Sequence, residues 1–143
     1  MTGQQEGHGM YVFEILWIVL FRFAPLPRIW AICLIAVNLG ALFFLDTFYG
    51  RVALLAALAG IAVMMVIYTR LGFVRLLGIG HVFWIPMLIW FASSLPDLQT
   101  DTALYWWVVV LIGFNTVSLV IDAADVARYL RGERAPHYRW RAT

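Results

Sequence analysis

Asn115, Ser118, Asp122 and Asp125 follow one another at steps of three, four and three residues. Side chains at those steps share one face of a helix. The run that carries them is otherwise mostly Trp, Val, Leu and Ile, so the four form a polar stripe on an apolar rod. A charge in hydrocarbon costs roughly 2.5–3.5 kcal/mol even on a lenient scale. The stripe must therefore face protein or water.

Arg75 opens the preceding apolar run and meets the end of the stripe at the same depth if the two runs are antiparallel neighbours. A contact from Arg75 to Asp122 or Asp125 is expected, with Arg70 and Arg128 as competing donors. A buried pair of this kind fixes helix register. The same residues along a hydrated path could instead carry protons or ions. His81 lies well inside the Arg75 run and is a candidate for proton transfer. Six residues separate it from Arg75, which is about 120° around an α-helix. On that geometry the two do not share a narrow face. A hydrogen-bonded packing role for His81 is the expectation.

Other chemistry is missing from the sequence. There is no HExxH, GxSxG, CxxC or Walker motif. One histidine inside the apolar runs cannot supply two axial haem ligands within one chain. Cys33 is the single cysteine, so it makes no intrachain disulfide and no metal motif. Gly72, Gly78 and Gly80 make no phosphate loop, because no strand precedes them and no GK[ST] follows. No catalytic residue, metal site or cofactor is assigned, and the inventory leans away from an enzyme.

These side chains must be positioned by four long apolar runs. The chain has 143 residues, 64% of them hydrophobic, where a soluble domain of this size has about 45–50%. The runs cover residues 27–45, 52–68, 72–95 and 102–121, the last extending as helix to 130. Each approaches the roughly 20 residues a helix needs to cross hydrocarbon. Lipid leaves helix as the one conformation for such single runs. The links are short, so sequential helices are expected as antiparallel neighbours. The fold class is thus an all-α integral membrane protein, a four-helix up-down bundle. Pro86, near Gly78 and Gly80, is expected to bend the third span beside His81.

Nine of the ten arginines fall on one side of these runs, and there is no lysine. Arg22, Arg28, Arg70, Arg75 and the five from Arg128 to Arg141 share that side, while Arg51 stands opposite with Asp46, Asp97 and Asp101. The positive-inside rule puts both termini in the cytoplasm of a bacterial inner membrane. Residues 1–9 form a polar tail without a basic residue, and no cleaved signal peptide is expected. Residues 10–24 are too short to span comfortably and are ended by Pro25 and Pro27, which suits an interfacial or re-entrant helix, the rival being a fifth span with the N-terminus outside. Residues 131–143 are an Arg-rich cytoplasmic tail suited to anionic headgroups. Nucleic acid is not an expected partner.

Small residues mark close helix contacts. Ala36 and Gly40 in the first span, and Ala56 and Gly60 in the second, have small-xxx-small spacing. Asn38, near mid-depth, could bond across helices to Asn115. Four thin spans cover a polar stripe only partly, so a homo-oligomer or a larger membrane-protein partner is expected beside the lipid bilayer. The first functional expectation is a non-enzymatic accessory or scaffold subunit, or a homo-oligomeric membrane component. The alternative is a small transporter or channel with a polar path along His81, Asn115, Asp122 and Asp125.

Overall fold

Helix ends in this chain are set by local caps and not by where hydropathy falls off. The computed structural model describes the backbone of residues 8–135 and the side chains of 11–135. Residues 1–7 of the expected N-terminal tail and 136–143 of the expected C-terminal tail lie outside the described residues, while His8 and Gly9 belong to the first helix and not to a tail. Helix α1 (His8–Trp17) continues as a π-helical turn, Ile18–Arg22. Helix α2 (Pro25–Leu39) starts with proline in its first turn and runs on as a 3₁₀ helix, Gly40–Phe44. That proline position loses no helical bond, because the first N–H groups have no partner anyway.

Helix α3 (Phe48–Leu71) is capped by Thr47, whose side chain accepts from the Gly50 N–H at 3.1 Å. It ends at Gly72, whose φ of 72° suits glycine. A 3₁₀ helix, Arg75–Phe83, then leads into α4 (Trp84–Ser93). Helix α5 (Thr102–Leu130) is capped by Asp101, which accepts from the Leu104 N–H at 3.1 Å. No strand occurs among the described residues.

Four stretches are long and apolar enough to cross a membrane: Pro25–Phe44, Phe48–Leu71, Arg75–Ser93 and Thr102–Leu130. The second is longer than hydropathy suggested, because Arg51 and Arg70 interrupt the apolar run without interrupting the helix. Arg51 turns back to the Leu45 carbonyl at 2.8 Å and the Asp46 carbonyl at 3.0 Å.

The third stretch differs from expectation in kind. It is not one bent α-helix over 72–95. Residues 75–83 are 3₁₀, and α-helix begins only at Trp84. Pro86 therefore sits in the first turn of α4, where its missing N–H costs little. Two glycines within four residues disfavour the α-form in the segment before it.

The dry core lies toward the start of α5. Phe91, Val108 and Leu111 are fully buried, with Ala41, Ala53, Met87 and Leu104 around them. Leu104 and Asp122 are 18 residues apart on α5, about 27 Å. The polar cluster thus sits at the end of the molecule away from this core.

Candidate functional site

A 3₁₀ helix has three residues per turn, so residues three apart eclipse. Arg75, Gly78 and His81 therefore stand in one line. The 120° separation read from α-helical geometry vanishes, because six residues make two full turns. This line meets the stripe of α5, and the structure brings four of the six candidate residues into two pairs. Arg75 Nη1 donates to Asp125 Oδ1 at 2.9 Å. His81 Nδ1 lies 2.6 Å from Asp122 Oδ2. All four side chains are largely buried.

Glycine makes the approach possible. A Cβ on Gly78 would lie 2.8 Å from both Cβ and Oδ1 of Asp122. On the opposite side of the segment, a Cβ on Gly60 would lie 2.6 Å from the Gly80 carbonyl oxygen. Gly78 and Gly80 let α5 and α3 close on the 3₁₀ segment from two sides. His81 also stacks on Trp84, with centroids 4.0 Å apart and planes at 18°.

Asn115 takes a different place. It is fully buried and exchanges two hydrogen bonds with Asn38, at 2.9 and 3.1 Å. The second Asn38 N–H also reaches the Leu34 carbonyl at 2.9 Å. These amides satisfy one another about two turns of α5 away from the His81–Asp122 pair. Above them, Gly40 passes under Trp107, whose indole N–H donates to the Val37 carbonyl at 3.0 Å. Ala56 is buried in the α3 face that contributes to the core.

Ser118 is 5% exposed, and among the described residues it makes no hydrogen bond. In particular it is not bonded to His81. Ser93 donates to the Trp90 carbonyl, and the Ser94 carbonyl accepts from Tyr49, both far from the histidine. No serine is thus activated by the imidazole. No group of three or more His, Cys, Asp or Glu suited to a metal occurs among the described residues.

A cavity of about 610 Å³ opens beside the cluster. Arg75, His81, Ser118, Asp122 and Asp125 form its polar end. Its apolar walls come from the N-terminal helical segment, α2 and α3, among them Val19, Phe23, Trp30, Leu34 and Met64. The N-terminal segment is held there by Glu14, which accepts from the Tyr68 hydroxyl at 3.0 Å, and by Phe23 packed edge-on against Phe73. Arg28 ties the break before α2 by donating to the Phe23 carbonyl at 2.8 Å.

The His81–Asp122 pair escaped sequence reasoning. Its signal was the three-residue spacing of Arg75, Gly78, His81 and Trp84, which is the period of a 3₁₀ helix and not of an α-helix. No protein-family model matches the chain, and no curated protein or solved structure matches it either.

Proposed function

We propose that this protein is a non-enzymatic accessory or scaffold subunit, or a self-associating component, of the bacterial inner membrane. It crosses as a four-span up-down bundle with both termini in the cytoplasm. Residues 10–24 lie at the inner interface. The four long apolar helices and the one-sided arginines support this topology.

The observation that carries the reading is the pairing of the polar side chains. Arg75 is matched by Asp125, His81 by Asp122 and Asn38 by Asn115. Groups matched in this way lock one helix against another. Around this lock the surface is strongly apolar: Phe43, Phe48, Leu55 and Ile89 are all well exposed. That surface suits lipid and also the helices of a partner.

A transport path along His81, Asn115, Asp122 and Asp125 has less support. Asn115 is fully buried and doubly bonded, and it is not among the residues lining the cavity. Val108, Leu111 and Phe91 seal the helices beyond it.

Native mass spectrometry of the full-length protein in mild detergent tests the reading. A homo-oligomer or a stoichiometric second subunit is the expected result. A monomer at all concentrations, together with flux that is lost in His81→Ala at normal insertion, would replace it with the transport reading.

A further inference from the structure

The geometry points to the cavity as a binding site for a neutral lipid, with its chain along the α2 wall and a hydroxyl head between Ser118 and His81. The inference does not depend on what the protein associates with.

Ser118 carries it. Its residue is 95% buried, taken from its 5% exposure, yet it has no hydrogen-bond partner among the described residues. Ser118 lines the cavity, and its hydroxyl oxygen is not shut off from it, so the cavity is where a partner can reach it.

His81 supplies the matching atom. Its Nδ1 is committed to Asp122. In a neutral ring whose Nδ1–H donates to that carboxylate, Nε2 is left as an acceptor. A hydroxyl is the head that serves both sites. It donates to Nε2 and accepts from the Ser118 hydroxyl.

Charge selects against a phosphate. The charged residues lining the cavity are Arg75, Asp122 and Asp125, and Arg75 already faces Asp125. With a neutral imidazole the cluster carries one net negative charge, and with an imidazolium it carries none. Neither state carries the net positive charge that would draw a phosphate, and the neutral-imidazole state repels it.

Size and lining agree. Ligand pockets run from about 300 to 1,000 Å³ and are mostly apolar with a few placed polar groups. This cavity falls within that range. Its walls of Val19, Phe23, Trp30 and Leu34 suit an acyl or isoprenoid chain.

Two photoreactive probes decide the matter. One is a monoacylglycerol with a diazirine in its chain, and the other is the lysophosphatidic acid with the same chain. Both are presented to the full-length protein in phosphatidylcholine nanodiscs, and labelled residues are mapped by mass spectrometry. The neutral probe is expected to label the cavity walls about fivefold more than the phosphate probe. Ser118→Ala is expected to lower that labelling by about two- to tenfold, the worth of one neutral hydrogen bond, with labelling of the other faces unchanged. Ala31→Trp, which fills the wall of α2, should abolish it.

Equal labelling by the two heads, preference for the phosphate, or no cavity labelling would overturn the proposal. So would labelling indifferent to Ser118→Ala. That variant changes one oxygen and keeps the helix, so a folding failure of Ala31→Trp does not protect the proposal.

Discussion

Gly78 sits where the two charged stripes come closest. An added methyl there would press on the Asp122 side chain at 2.8 Å. Gly78→Ala is therefore expected to destabilise the fold by about 1–3 kcal/mol, the usual cost of overpacking. Thermal unfolding in detergent, followed by circular dichroism, measures it, and an unchanged midpoint would mean that the helices do not meet there. Arg75→Ala leaves Asp125 buried without its guanidinium and is expected to cost about 3 kcal/mol. The exchange Arg75→Asp with Asp125→Arg should recover a large part of that loss. The same exchange made between Arg75 and Asp122 should not, because Asp122 belongs to His81. The Arg75 pairing was legible in the sequence as one of two acceptors, since both ends of the helices carry charge at one depth. Choosing between Asp122 and Asp125 required the second pair.

At the scale of elements, the 3₁₀ segment Arg75–Phe83 does two things. It aligns Arg75, Gly78 and His81 on one line. It also lengthens the third span. Nineteen α-helical residues reach about 28 Å, while the same run with nine in the 3₁₀ form reaches about 33 Å. Hydrocarbon is about 30 Å thick, so the 3₁₀ form makes this short run long enough to span it. Runs of more than three or four residues in this form are uncommon. Contacts with α3 and α5 hold it, the glycines admitting both neighbours. The Asn38–Asn115 pair joins α2 to α5. A double-mutant cycle with Asn38→Leu and Asn115→Leu is expected to give a coupling of about 0.6–2 kcal/mol. No coupling would mean that the two amides do not meet. This pair was legible from depth alone, because two lone amides in apolar helices have few other partners.

At the scale of the whole molecule, the arginine distribution makes a prediction of topology. In a Cys33→Ser background, a cysteine at Leu98 should react with an impermeant maleimide from outside intact cells. One at Glu133 should react only after permeabilisation. The reverse pattern would invert the bundle. The same background, with cysteines placed along residues 10–24, separates an interfacial segment from a fifth span. Four helices enclosing a core at one end and a cavity at the other also give the molecule two unlike halves. Unfolding is expected to begin at the cavity end, where packing is least complete. Hydrogen exchange should show faster opening for the Arg75–His81 backbone than for the α4 backbone around Phe91.

Composition and periodicity alone determined that the chain is helical, how many stretches are long enough to cross a membrane, and which face of α5 is polar. Those properties follow from local rules: apolar length, backbone satisfaction within a helix, and side-chain spacing. Caps moved the ends by a few residues, with Thr47 and Gly72 extending α3 past its charged residues. What only the tertiary structure decided is the form of the segment before α4. The energy difference between 3₁₀ and α-helix is small and is settled by the neighbours on both sides. With it were settled the partner of His81, the split of the two aspartates between two bases, and the cavity that Ser118 faces. None of these is a property of one helix. Each depends on how far α3, α5 and the N-terminal segment can approach, and glycine contacts across helices set that distance.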